Sequence, residues 1–226
     1  MSWIVPDWKV PANVIAVSTT RDGEHDERAR LAALFGSEPV QLKQVHGTHA
    51  VAIDARNRAD ALAQPPQADA ALTRAPGIAV AVRAADCLPV LFADRRGSVV
   101  AAAHAGWRGL AAGVLEATLD AMDVDPREVV AWIGPAIGPR RFEVGRDVYD
   151  AYVGVDASDA ASFAPHREGK WLADLPGLAR RRLARAGVHD VAGGRWCTVE
   201  DAARFHSWRR DRSQGRMLTA IAIAPV

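Results

Sequence analysis

The stretch from Ile78 to Ile133 constrains the fold more than any other part of the chain. Three short apolar runs, Ile78–Arg83, Leu88–Ala93 and Ser98–Ala103, read as strands, the last two joined at DRRG (94–97). Gly109–Met122 follows with Ala111, Leu115, Leu119 and Met122 at helical spacing. Val129–Ile133 is a further short strand, leading into the stiff loop GPAIGP (134–139). This order lacks the regular alternation of strand and helix that builds a doubly wound parallel sheet. The expectation is an α+β fold of mixed β-sheets flanked by outer helices.

Outside this centre, VIAVS (14–18), Val40–Val45, Ala50–Ile53 and Met217–Ala224 read as strands. Asp22–Phe35, acidic at its start and stopped by Gly36, and Asp174–Ala186, ended by Gly187, read as helices. The Ala-rich patch Ala61–Ala71, with Pro65 and Pro66, reads as a surface loop. With no internal repeat and no long linker, residues 1–226 are expected to form a single domain.

Composition excludes several classes of function. A net charge of +1 exerts no long-range pull on nucleic acid or an anionic membrane. No run approaches the ~20 apolar residues of a membrane span, and the opening MSWIVPDWKVP lacks the pattern of a signal peptide. Two cysteines, Cys87 and Cys197, do not make a disulfide framework. A reduced, cytoplasmic protein is expected, and an oligomer is compatible with the sequence.

The central hairpin carries candidate chemistry. If it turns on Asp94–Gly97, or on Arg95 and Arg96 alone, Cys87 falls directly opposite His104. Directly opposed residues place their Cβ atoms ~4.5–5.5 Å apart on one face of the sheet. A thiol and an imidazole so placed either share a metal ion or hydrogen-bond as nucleophile and base; a three-residue loop would break the pairing. His104 also opens HAGWRG (104–109), a turn from strand into helix whose free backbone N–H groups suit an anion, with Arg108 as a fork beside them.

Five blocks then occur in order: QVHG (44–47); ADCLPV (85–90); HAGWRG (104–109); GPAIGP (134–139) with FEVG (142–145); and RRD (209–211) with GRM (215–217). Together they resemble the YfiH-type laccase-domain family, long labelled multicopper polyphenol oxidoreductases, from about Val14 to the C-terminus. The resemblance implies a layered α–β–β–α fold. It also implies a purine nucleoside phosphorylase that deaminates adenosine, with a catalytic zinc on one cysteine and two histidines. On matching positions, the catalytic and metal-binding residues are His46, Cys87 and His104. The implied partners are phosphate and purine nucleosides: adenosine, inosine, guanosine and methylthioadenosine.

Within that reading, Arg108, Arg209 and Arg210 are the candidates for holding phosphate. Gln44, on the same strand face as His46, hydrogen-bonds to substrate or orients a ligand; Trp107 either packs in the core or stacks on a purine. Glu143 and Asp86 are candidates for proton transfer, although a regular strand would point Asp86 away from Cys87. Two positions depart from the family pattern: Ala85 stands where threonine is common, and Trp208 where tyrosine or histidine is usual.

A Cys/His₂ set suits zinc and leaves a fourth position open, as catalytic zinc sites do. Copper(II) tops the divalent affinity series and is a competing occupant. A multicopper oxidase needs further ligand clusters, and His25, His49, His166, His189 and His206 fall in no ligand pattern. Three alternatives follow. A copper-dependent polyphenol oxidase is disfavoured by the histidine count. A metal-free hydrolase of amide or peptide-like substrates would use Cys87 as nucleophile and His104 as base, with no need of His46. A non-catalytic zinc module would need a fourth ligand, and none is evident.

Overall fold

Strands covered on both faces read as continuous apolar runs, and this accounts for the legibility of the chain's centre. The computed structural model describes residues 3–21, 27–212 and 214–225. The first six strands are β1 (Val14–Ser18), β2 (Ala50–Ala52), β3 (Ala70–Thr73), β4 (Ala79–Ala84), β5 (Leu88–Asp94) and β6 (Val100–Ala105). The others are β7 (Val129–Ile133), β8 (Glu143–Val144), β9 (Phe163–Arg167), β10 (Lys170–Ala173), β11 (Asp190–Gly193) and β12 (Met217–Ile223). The helices are α1 (Glu27–Phe35), α2 (Arg58–Ala63), α3 (Trp107–Ala112), α4 (Val114–Met122), α5 (Arg146–Val153), α6 (Leu175–Arg185) and α7 (Trp208–Asp211).

These strands form a three-stranded sheet in the order β1-β12-β4, a six-stranded sheet β11-β7-β5-β6-β3-β2, and a small sheet β8-β10-β9. Alternation along the strands stacks the layers. On β12, Ile221 and Ile223 join a core shared with Leu91, Ala93, Val100 and Ala102 of the six-stranded sheet. The other face of β12, with Leu218, Ala220 and Ala222, packs against Leu31 and Phe35 of α1. Beyond the six-stranded sheet, Leu88, Val90 and Phe92 pack in one core with Leu115 and Leu119 of α4 and Leu178 and Leu183 of α6. The order is helix, sheet, sheet, helix, as the resemblance implied. Among the described residues no helix is long and apolar enough to cross a membrane.

The hairpin differs from expectation in its register. Its turn is Arg95–Ser98, so His104 faces Pro89 and Leu88 faces Ala105; Cys87 lies outside the paired strand. The cause is Asp94, which is almost fully buried. Its carboxylate accepts hydrogen bonds from the amides of Ser98 (2.6 Å) and Val99 (2.9 Å) and from the Ser98 hydroxyl (2.8 Å). Gly97 closes the turn at φ 65°.

Burial alone would raise the Asp94 pKa, but the hydrogen bonds from Val99 and Ser98 hold it below the ordinary carboxylate value. Its contribution is therefore fully present above the unfolded-state value of ~3.9 and lost as pH falls through the lower folded-state pKa. Asp94→Ala is expected to lower unfolding free energy by ~1–3 kcal/mol in urea titrations at pH 7. The deficit should shrink under strongly acidic conditions.

Other boundaries moved for local reasons. The helix expected over Gly109–Met122 is two helices, α3 and α4, broken at Gly113 with φ 102°. The patch Ala61–Ala71 is not all surface loop: it holds the end of α2 and the start of β3, and Ala68–Ala71 are buried. Val40–Val45 makes only isolated bridges, Val40 to Val80 and Lys43 to Gln67. Of the helix expected from Asp22, residues 22–26 lie outside the described residues.

Candidate metal centre

Cys87 sits at a corner between two layers. Strand β4 belongs to the three-stranded sheet and β5 to the six-stranded one, so Ala85–Cys87 carries the chain across. Asp86 makes that turn at φ 90°, a conformation that side chains rarely adopt. Its carboxylate accepts hydrogen bonds from the Thr198 hydroxyl and the Arg209 backbone N–H, both at 2.6 Å. The expectation that Asp86 faces away from Cys87 assumed a regular strand. The corner removes that assumption, and Asp86 lines the same cleft as Cys87.

His104 is the penultimate residue of β6, on the face turned toward the other sheet, as Ala102 is. Its Nδ1 meets Asp69 Oδ1 at 2.9 Å. Asp69 is fully buried and also accepts from three successive backbone N–H groups, of Val45 (3.2 Å), His46 (2.9 Å) and Gly47 (2.7 Å). One carboxylate thus fixes two elements at once. It engages Nδ1 of His104, leaving Nε2 for an ion, and it holds the turn that presents His46, itself at φ 61°.

The ligand atoms of His46, Cys87 and His104 all lie within 4.8 Å of one another. Cys87 Sγ is 3.8 Å from His46 Nε2, within reach of the ~3.3–3.8 Å at which thiolate and imidazole donors stand when they share a tetrahedral zinc. Burial pushes the Cys87 thiol up, but the hydrogen bonds and charge of His104 and His46 outweigh it and bring the thiol to about 6. Burial likewise pushes His104 down, and Asp69 and Cys87 reverse this, raising it to about 9. A thiol so readily ionised is what a metal ligand requires. Gly106 completes the cradle: a Cβ there would stand 2.8 Å from the His46 ring and 3.0 Å from Cys87 Sγ. One soft sulfur and two imidazoles fit a single zinc-type ion, and among the described residues this is the one such group of three or more ligands.

The three side chains lie in a cleft of about 610 Å³, within the range of small-molecule sites. Trp107, Phe142 and Trp208 are its aromatic lining, and Arg83, Arg209 and Arg216 its cations. Arg209 is therefore in the cleft; Arg108 and Arg210 are not. Arg108 is exposed and stacks on Trp107, 4.5 Å from the ring centroid. The guanidinium of Arg210 donates to the carbonyls of Thr198, Val199 and Phe205 and to Asp211, which pins the preceding loop. Gln44 lines the cleft, but its amide is used on the backbone of Arg83. Glu143 is outside the cleft lining, paired with Arg167. Ala85 and Trp208, the two departures, both line it.

A family described as multi-copper polyphenol oxidoreductase laccase matches residues 17–224 of the chain. The chain belongs to this family. Among its curated relatives is a purine nucleoside phosphorylase of Pseudomonas aeruginosa, 44% identical over 97% of this chain and 98% of its own. Another is the purine nucleoside phosphorylase YfiH of Escherichia coli, 43% identical over 96% and 97%. A solved structure from Neisseria meningitidis superposes with a TM-score of 0.92 at 41% identity, covering each chain completely. For this laccase-domain chain the family label and the site disagree on stoichiometry. The label speaks of several coppers, whereas the described residues bring together one group of three candidate ligands, enough for a single ion.

Sequence reasoning assigns no role to Asp69 or Arg83, and Arg216 enters it only as part of the GRM block (215–217). Asp69 carried one usable signal, a carboxylate at the head of the apolar run AALT (70–73); a charge there is buried only if something pairs it.

Proposed function

We propose that the chain is a zinc-dependent purine nucleoside phosphorylase that also deaminates adenosine, with His46, Cys87 and His104 as ligands and catalytic centre. The convergence of these three side chains in one aromatic-lined cleft carries the reading. The names of relatives matching along nearly the whole chain support it. Adenosine, inosine, guanosine and methylthioadenosine are the expected nucleosides.

When bound, zinc supplies Lewis acidity, enough to bring the pKa of a water to about 7. The chain's own residues bind and orient. Trp107, Phe142 and Trp208 offer ring faces for the purine. Arg209, held by Asp86 at its backbone N–H and by the Glu143 carbonyl at Nη1, offers its charge to phosphate. In phosphorolysis a phosphate oxygen bonds to C1′ as the C1′–N9 bond breaks. The purine leaves with the electron pair and takes up a proton, giving free base and ribose 1-phosphate. Deamination exchanges the 6-amino group for water's oxygen, giving inosine and ammonia. Asp86 accepts one hydrogen bond at each oxygen, from the Thr198 hydroxyl and the Arg209 N–H, and so ties the Cys87 corner to the segment that carries Arg209.

The test is chromatography of products from adenosine, with and without phosphate, using zinc-loaded protein. Adenine that appears only with phosphate, and inosine in either case, is the expected result. No conversion, together with alkylation of Cys87 that blocks amide hydrolysis, would replace this reading with the metal-free hydrolase.

A further inference from the structure

Strand β4 is buried along its length except at one residue, Arg83. That residue is held at its backbone by a side chain: the Gln44 amide donates to the Arg83 carbonyl and accepts from the Arg83 N–H, both at 2.8 Å. Gln44 thereby acts as a one-residue extension of the sheet, and it lies two residues before His46. The Arg83 side chain, in contrast, makes no hydrogen bond, ion pair or ring contact with any described residue, although it lines the cleft. Many of the chain's other arginines are spoken for: Arg140, Arg167, Arg182 and Arg185, for example, each pair with a carboxylate.

A second cation of the cleft is anchored in a similar way. Arg209 has its backbone N–H fixed by Asp86, the neighbour of Cys87. Asp86 is the one carboxylate lining the cleft, and both of its oxygens are engaged. Among the described residues the cleft lining thus sets three guanidiniums, of Arg83, Arg209 and Arg216, against the single carboxylate of Asp86, an excess of positive charge. Two of the guanidiniums are tied through a single residue to the segments that carry the metal ligands.

We propose that Arg83 and Arg209 form a phosphate-binding subsite of this cleft, and that Gln44 is the positioning residue that sets Arg83 in place. The inference rests on the phosphorylase reading for its ligand class, a tetrahedral phosphate dianion. Two sources share that chemistry: inorganic phosphate as co-substrate, and the 5′-phosphate of a nucleotide. Forked, charge-assisted bonds of this kind are selective for phosphate over neutral ligands.

Calorimetric titration of the metal-free protein separates binding from turnover. Inorganic phosphate, adenosine and adenosine 5′-monophosphate are the probes. Arg83→Gln is expected to weaken phosphate at least ~10-fold, the loss of one charge-assisted bond, and adenosine much less. The Gln44 contact goes to backbone, so it survives that substitution. Gln44→Leu, which keeps the charge but frees its backbone, is expected to give a smaller loss confined to phosphate. Arg108→Gln, outside the cleft lining, serves as the control and should match the wild type.

Binding of inorganic phosphate lost in Arg83→Gln, with no advantage of the monophosphate over adenosine, assigns the subsite to the co-substrate. A monophosphate advantage that Arg83→Gln removes assigns it to a substrate-borne phosphate. Unchanged affinity for both phosphates in Arg83→Gln overturns the proposal. A subsite that binds phosphate in a protein that does not phosphorolyse nucleosides would leave this inference standing and remove the phosphorylase reading.

Discussion

Cys87→Ala and His104→Ala are each expected to lose bound metal and nucleoside turnover together while remaining folded. The loss of a direct ligand should exceed the ~10–100-fold drop in affinity that follows loss of an outer partner. Folding should survive in both. Cys87 is partly exposed at a corner, outside the strand ladder. In His104→Ala, Asp69 keeps its three backbone donors, so its buried charge stays paired. Metal analysis on gel-filtered protein, with circular dichroism as the check on folding, gives the answer. A variant that keeps full activity after losing its metal would remove zinc from the mechanism.

Asp69→Asn is expected to be nearly as damaging, although Asp69 acts only through His104 and the His46 turn. Asparagine offers one acceptor oxygen where the carboxylate offered two, and its NH₂ would face backbone N–H groups that also donate. Two consequences follow. Metal affinity should fall ~10–100-fold, because His104 loses the partner that fixes its ring and His46 loses its turn. Stability should fall by at least ~3 kcal/mol, since several buried donors lose a charged acceptor. Chelator competition measures the first and urea unfolding of the metal-free protein the second. Wild-type metal affinity in this variant would show that the ligands are positioned by packing alone.

The layers of this fold were legible where burial is two-sided. The expected bounds of Val129–Ile133 match the strand, and those of Met217–Ala224 match to within one residue, because both strands are buried along their whole length and are almost wholly apolar. Strand β3 and the buried end of the patch at 61–71 were not read, because alanine has no strand preference and its burial is decided by neighbours. Register was out of reach for a different reason. It depends on Asp94 reaching over its own turn to the amides of Ser98 and Val99, a contact no periodicity announces.

The site divides in the same way. The triad of His46, Cys87 and His104 is implied by the family resemblance, whose compact blocks carry all three residues, and the structure brings these side chains together. The hairpin pairs His104 with Pro89 and not with Cys87, yet this shift of two residues keeps His104 on the face that the corner presents to Cys87. The cations of the cleft were harder. Arg108, Arg209 and Arg210 look equivalent in sequence, but one stacks on an indole, one lines the cleft and one ties down a loop. Arg83 has no motif beyond its place near the end of β4, and Asp69 reaches its partners across 22 to 35 residues of chain.

The most direct test of the central claim is to titrate zinc into metal-free protein and follow ribose 1-phosphate formed from inosine and phosphate. Activity that rises in proportion to bound zinc and stops at one ion per chain, with Cys87→Ala inert throughout, is the result predicted by a single His46–Cys87–His104 centre. Full phosphorolysis before any metal is added, or activity that keeps rising past one ion per chain, would contradict it.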